Sequence, residues 1–374
     1  MSRNRLEILK RREPLQVGFM PFYDCAPLVY ALEASLFAKY DLEVELRREN
    51  SWSSLRDRLV EGELDAAHAP ATLPFLANLG LESDPSECVS GMILSLQGNG
   101  ITLSRQLWDE GVRDAATLRE AIYRNWGKRT YTFAVTFPFS SQRFLLHRWL
   151  KLGGIIPQNE VRIVALPPFQ MFPTLKLGYV DGYCVAEPWV SLAAQAGVGV
   201  CVATSAELAP FHPEKVLMVR QSFASGSPEE HERLLAALIE ACAFCDEPQN
   251  RAGLNELLAE PRYVNAPADC LGDGLPGQPT LNSTIFHRHD ANEPTDERAT
   301  WLMKLLYDFL DQGSVKRGPA TRAPVLKNIF QRDVYNRARL LVPAGDHTGT
   351  EAGETRASGV SAPSSEARAG AGAP

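Results

Sequence analysis

The 374 residues lack an excess of basic charge, a membrane-length apolar run, a nucleotide loop and a metal-ligand spacing, and each absence removes a class of function. Lys and Arg number 38 against 45 Asp and Glu, a formal net charge of −7, so no basic field exists for nucleic acid or an anionic membrane surface. No hydrophobic stretch approaches the length needed to span a bilayer. Walker, G-x-G-x-x-G, G-x-S-x-G and H-E-x-x-H patterns are missing, and Gly153-Gly154 and Gly178 stand alone rather than in a phosphate-cradling run. His287-Arg288-His289 has no Cys or carboxylate at ligand spacing, so neither a metal nor a cofactor is expected. No repeat of solenoid length occurs. The cysteines are odd in number and scattered, at Cys25, Cys88, Cys184, Cys201, Cys242, Cys245 and Cys270, mostly in apolar surroundings that suit buried, reduced thiols. Cys242-Ala243-Phe244-Cys245 lies within a helical pattern and reads as helix packing.

Both ends of the chain read differently from its middle. Residues 1–14 are basic up to Pro14 and read as an extension; no apolar core of a signal peptide follows, and no lipoprotein Cys. The expectation is a cytoplasmic protein, or a periplasmic one if the start is trimmed. After Val342 only Gly, Ala, Ser, Thr, Glu and Pro predominate, without periodicity, so residues 343–374 are expected to be a disordered tail. Between the ends, 45% hydrophobic and 22% charged content fits an ordinary globular core.

Apolar alternation predicts strands over 15–20 and 42–46, a short one over 64–68, and helices over 26–40 and from Trp52 to Gly62. That is strand–helix–strand–helix–strand, the order of a parallel α/β sheet. A helix over 72–79, a strand over 88–96 and a resumed strand at 101–103 follow. A second α/β unit then runs from 110 to 205, with strands over 132–137, 160–166 and 183–186. Its helices fall over 114–126, 140–152, 170–177 with Pro173 in the first turn, and 188–196. A strand over 215–220 and helices over 228–246, 254–260, 296–311 and 325–341 complete the chain. The reading is two lobes around a cleft: 15–109 with 206–342, and 110–205.

Three helix starts or junctions could meet a small anion. Asn50 or Ser51 can cap the helix headed by Trp52, whose first N–H groups lack internal partners and whose indole N–H needs an acceptor when buried. Trp52 also shares a helical face with Leu55 and Leu59, so it reads equally as core. Glu187-Pro188-Trp189 opens another helix, where a cap with a packed Trp is the simpler reading. Lys215 ends a Pro-containing loop and offers a compact point charge, though most Lys are simply solvated.

Over residues 15–340 the chain resembles the nitrate- and bicarbonate-binding solute receptors of bacterial ABC importers. The resemblance rests on Gly18-Phe19-Met20-Pro21, Asp24-Cys25-Ala26-Pro27-Leu28-Val29, Ser51-Trp52 with Arg56-Asp57, and Gly62-Glu63-Leu64-Asp65-Ala66-Ala67-His68. It continues through Leu94-Ser95-Leu96-Gln97-Gly98-Asn99, Thr136-Phe137-Pro138, Trp149-Leu150 and Gly153-Gly154. Pro167-Pro168-Phe169-Gln170-Met171, Glu187-Pro188-Trp189 and His212-Pro213-Glu214-Lys215 complete it. It implies an α/β, two-lobed type II periplasmic-binding-protein fold with an interlobe ligand cleft, and a binding protein rather than an enzyme. It implies a ligand set of Trp52, Asn99 at the amide position, Gln142 where nitrate binders carry His, Ala186 where they carry a backbone-contacting Gly, and Lys215. Gln142 keeps a donor but removes a possible charge.

The resemblance is strongest to a cytoplasmic branch that senses nitrate or nitrite and restrains an ANTAR-type RNA-binding antiterminator. The implied partners are therefore a small oxyanion and such a protein, with no direct nucleic acid and no membrane insertion. An importer receptor for nitrate or bicarbonate is the alternative. A same-fold biosynthetic enzyme is a third reading, for which His68 and Cys25 are the candidate groups, neither with a visible partner in the sequence.

Overall fold

Leu15-Gln16-Val17-Gly18-Phe19 alternates as the sequence predicts and forms β1 (Leu15–Phe19). The computed structural model describes residues 13–272, 284–311 and 328–343; the N-terminal extension up to residue 12 and the tail beyond 343 lie outside the described residues. After β1 come α1 (Ala26–Glu33), α2 (Leu36–Lys39), β2 (Val44–Arg48), α3 (Trp52–Glu61), β3 (Ala66–Pro70), α4 (Leu73–Leu79) and β4 (Cys88–Leu96). The chain then builds β5 (Asn99–Ser104), α5 (Arg105–Asp109), α6 (Ala115–Arg124), β6 (Tyr131–Val135), α7 (Ser141–Leu152), α8 (Pro157–Glu160) and β7 (Val161–Ala165). It continues with α9 (Pro168–Lys176), β8 (Gly182–Ala186), α10 (Trp189–Gln195) and β9 (Gly199–Thr204). A short α11 (Ser205–Leu208) leads back to β10 (Pro213–Arg220). Five further helices follow: α12 (Gln221–Gly226), α13 (Pro228–Asp246), α14 (Arg251–Leu258), α15 (Asp296–Asp311) and α16 (Arg332–Leu341).

These strands form two five-stranded sheets, in the orders β2-β1-β3-β10-β4 and β7-β6-β8-β5-β9. The β1–β2, β1–β3, β6–β7 and β6–β8 pairs are parallel, as strand–helix–strand units require. β10 runs antiparallel to β3 and β4, and β5 antiparallel to β8 and β9. Each sheet is therefore mixed rather than parallel. The reversed strands, β5 and β10, are the two by which the chain crosses from one sheet to the other.

The first crossing falls at Gln97-Gly98, between β4 and β5, twelve residues or so before the boundary of 110 suggested by the sequence; the return falls across 205–212. The two crossings touch, with Gln97 N–H donating to the His212 carbonyl at 3.1 Å. Gly98 sits at φ +92°, and a Cβ there would stand 2.3 Å from Thr284 Oγ1. Gly98→Ala should therefore cost about 1–3 kcal/mol from the left-handed backbone and the contact together. A lowered urea midpoint with an unchanged slope would be the readout.

Other boundaries move for local reasons. The helix expected over 26–40 breaks at Ser35, which adopts φ +57°, and the restart turns Leu36 and Phe37 into the core beside Leu42. Pro173 lies inside α9 rather than in its first turn, because Pro167-Pro168 starts the helix earlier, with Pro168 preset for N1. The last helix begins at Arg332: residues 325–327 of the expected span lie outside the described residues, and over 329–331 Ser90 accepts from Gln331 N–H and donates its own N–H to the Ile329 carbonyl, which holds this stretch against β4. Asp114 and Ser140 cap α6 and α7, so each expected helix begins one residue later, and Asp114 forms a full capping box.

One continuous hydrophobic cluster joins the two sheets, from Leu55 and Leu59 of α3 to Phe137, Met171 and Tyr183 on the far side. No helix among the described residues is long and apolar enough to cross a membrane.

Candidate ligand-binding site

Ser51 caps α3 by accepting from Ser54 N–H at 3.0 Å, which sets Trp52 at the first helical position. The indole is 2% exposed and stacks on Phe22, with ring centroids 5.7 Å apart and planes 4° from parallel. It is thus core, as one reading of the sequence held. Its Nε1 also leaves its own sheet and donates to Thr136 Oγ1 at 3.2 Å, just beyond β6.

A chain of side-chain hydrogen bonds continues from that point. Thr136 Oγ1 donates to Gln142 Oε1 at 2.5 Å, and Gln142 Nε2 donates to Asn99 Oδ1 at 3.1 Å. Asn99 is fully buried and sits opposite Ala186 in the β5–β8 register. Its Nδ2 has no hydrogen-bond partner among the described residues. A buried amide donor left unpaired costs of order 1–3 kcal/mol, and an acceptor placed there would recover it.

Lys215 lies on β10, which runs between β3 and β4. Its Nζ is 5.6 Å from the Trp52 ring centroid and 5.9 Å from that of Phe22. It is 1% exposed and pairs with Asp24 Oδ2 at 2.8 Å and Glu214 Oε1 at 2.7 Å. Two of its three N–H groups are used, and one remains. The five residues singled out in the sequence therefore gather at one place, where the first and second sheets meet. Lys215 nonetheless does not offer a free charge.

The carboxylates that hold it, Asp24 and Glu214, lie within the motifs that carry the resemblance. Burial alone would raise Asp24, but Lys215 and then His68 outweigh it and hold the group at about 2. Burial likewise opposes ionisation of Glu214, and Lys215 and His212 bring it down to about 2. Lys215 is disfavoured as a cation by burial, yet the two carboxylates raise it above its ordinary value. Glu214 Oε2 also receives Ser141 Oγ at 2.5 Å and faces His212 Nε2 at 3.1 Å. The signal available in sequence was the adjacency of Glu214 to Lys215, which near the start of a strand with shifts of register brings both inward.

His68, on β3, is fully buried, with Nε2 3.1 Å from Asp24 Oδ1 but not aligned for a hydrogen bond, and its Nδ1 has no partner among the described residues. Burial outweighs Asp24 and lowers it, so the ring is neutral near pH 7. His68 does have a carboxylate partner, which the sequence did not reveal. Cys25 is no nucleophile: burial and then Asp24 push its thiol far above its ordinary value. Among the described residues no group of His, Cys and carboxylates could hold a metal ion.

Contacts between the sheets close the site. Thr72 Oγ1 donates to the Phe139 carbonyl at 2.8 Å, and Tyr23 N–H to the Glu187 carbonyl at 3.0 Å. The Glu187 carboxylate itself accepts from Ser191 N–H and Oγ at the start of α10, and burial pushes it up to about 7. With Trp52, Asn99, Gln142, Ala186 and Lys215 all at most 3% exposed, a ligand reaches them only when the sheets part.

Residues 10–259 match the NMT1-like family. The bicarbonate transport ATP-binding protein CmpC of Synechococcus elongatus is 38% identical over 299 residues, 78% of this chain and 44% of that protein. The chain thus spans under half the length of such relatives. The nitrate/nitrite binding protein NrtA of the same organism is 29% identical over 361 residues, covering 90% of this chain and 81% of the relative. The crystal structure of the periplasmic nitrate-binding protein NrtA from Synechocystis PCC 6803 superposes with a TM-score of 0.81 at 26% identity, over 90% of each chain. The fold is the two-lobed α/β fold of periplasmic binding proteins, and the chain is related to nitrate and bicarbonate importer components, which are binding proteins rather than enzymes.

Proposed function

The chain belongs to the NMT1-like family, and from that premise we propose that it is a receptor for a small planar oxyanion, nitrate or nitrite, held between its two sheets. The observation that carries this reading is the unpartnered, fully buried Asn99 Nδ2, on one chain of side-chain contacts with Gln142 and Trp52, whose ring faces Lys215 and its one remaining N–H. Donors without matching acceptors suit an anion rather than a cation.

The receptor acts as a sensor. Lobe closure around the ion alters a surface read by a protein partner, an antiterminator of the ANTAR type that governs nitrate assimilation, and ligand binding releases it. A cytoplasmic location is supported by the likeness to CmpC. That protein is named for ATP binding, this chain matches under half of it, and this chain has no Walker loop. The matched portion of CmpC therefore accompanies an ATP-binding portion, which works where ATP is. The same likeness favours a second reading, in which the chain is the receptor module of a nitrate or hydrogencarbonate importer.

Calorimetry of the purified chain with nitrate, nitrite and hydrogencarbonate separates these readings from a merely structural role. Asn99→Ala should weaken the bound anion about tenfold, the worth of one hydrogen bond to a charged group. Gel filtration with the antiterminator should give a complex that nitrate dissolves. A chain that gives no heat with any of the three anions is not an oxyanion receptor.

A further inference from the structure

The cation at the centre of this site is already matched. Lys215 faces two carboxylates, Asp24 and Glu214, at 2.8 and 2.7 Å. The one other basic group on Glu214, His212, directs its ring nitrogens at that carboxylate and at the Ala209 carbonyl. Whether or not the His212 ring carries a proton, the cluster holds no surplus positive charge. An entering monoanion would leave it net negative, in a place where Lys215, Asp24 and Glu214 are all buried. Hydrogen-bond donors alone compensate such a charge poorly in a low-dielectric interior.

One group can supply the missing charge. His68 is buried against Asp24, its ring lies 6.0 Å from that of Trp52, and its Nδ1 is unpartnered. We propose that the site takes up its oxyanion together with one proton: an anion without an O–H, such as nitrate, binds as His68 becomes an imidazolium, whereas hydrogencarbonate carries the proton in itself and can donate it toward a carboxylate. Asp24 and Glu214 are then the specificity-determining residues, because they cancel Lys215 and make the proton necessary. This rests on the receptor reading above.

The groups that act on His68 from neighbouring elements are Asp24 ahead of α1, and Glu214 and Lys215 on β10. Trp52 on α3 carries no charge, and Cys25 beside Asp24 is held neutral by burial. Asp24 and Glu214 favour a proton on His68, while burial and Lys215 oppose it and keep the free ring neutral. A bound anion reverses that balance. The sign follows: nitrate affinity rises as pH falls, tenfold per pH unit wherever the free ring is neutral and the complexed ring protonated.

The test is calorimetry of the whole chain with sodium nitrate and with sodium hydrogencarbonate, each at one pH in Bis-Tris and in Tris, whose heats of ionisation differ. Nitrate should give buffer-dependent heats equivalent to one proton taken up per ion, and its Kd should weaken about tenfold per pH unit. Hydrogencarbonate should give no proton uptake. His68→Gln should remove the buffer dependence for nitrate, and Asp24→Asn should do so as well, by cancelling one carboxylate instead. Nitrate binding with equal heats in both buffers overturns the inference and leaves the receptor reading standing. Retained uptake in His68→Gln overturns the assignment to His68. Absence of heat with either anion overturns the receptor reading and the inference with it.

Discussion

Lys215→Ala is expected to abolish anion binding and to lower unfolding stability by roughly 3–5 kcal/mol, the penalty for removing one partner from a buried ion pair. The size comes from what is left behind. Asp24 and Glu214 are both buried and both held ionised at about 2, chiefly by overcoming burial through Lys215. Without the ammonium group each is a carboxylate facing an apolar wall that includes Phe22 and Trp52. Without Lys215, burial raises both carboxyls, so protonation sets in above the ordinary carboxylate range and the deficit should shrink steadily as pH falls through that range toward 2. A compensated variant separates the two roles of the lysine. Lys215→Met combined with Asp24→Asn and Glu214→Gln removes all three charges and should recover most of the lost stability, because neutral groups of similar shape carry no Born penalty. It should not recover binding. Urea unfolding and nitrate calorimetry on the two variants give the result. A single Lys215→Ala variant as stable as the parent would mean that the three charges are not coupled in solution.

The two α/β units were legible because strand and helix patterns are of short range. Period-two and period-3.6 hydrophobic runs marked β1, β4, α3 and α13. Trp52, Asn99, Gln142, Ala186 and Lys215 came through resemblance in separate motifs, and the fold brings them to one place. What escaped was set by long-range geometry. The antiparallel course of β5 and β10 depends on where the chain changes sheets, and Gln97-Gly98 looks like an ordinary turn until Thr284 is seen against it. The same holds for the charge state of the site. Asp24 and Lys215 are 191 positions apart in the chain, and nothing in either motif states that they pair at 2.8 Å. The sequence reading assigned Lys215 to neutralise the anion. The pairs with Asp24 and Glu214 change that role to one of supplying a single N–H within a cluster that holds no surplus positive charge.

Trp52 carries the other large effect, and two substitutions divide it. Trp52→Ala should cost about 3–5 kcal/mol, since a buried indole stacked on Phe22 is deleted and the surroundings relax only in part. Trp52→Phe should cost far less, about 0.5–1.5 kcal/mol, because a ring remains against Phe22 and only the Nε1–H donor is lost. That donor nonetheless crosses between the lobes, from α3 to Thr136, and Thr136 holds Gln142, which in turn holds Asn99. Loss of the bond disfavours the closed arrangement and leaves the donors less well ordered. Because apparent affinity scales with the fraction of closed protein, a shift of about 1.4 kcal/mol weakens nitrate about tenfold even if no atom of the indole touches the ion. The free Trp52→Phe protein should also show a larger radius of gyration in small-angle scattering than the parent, and saturating nitrate should erase the difference. If Trp52→Phe binds nitrate as tightly as the parent and scatters identically, the indole acts through packing alone, and the link from α3 to the second sheet plays no part in closure.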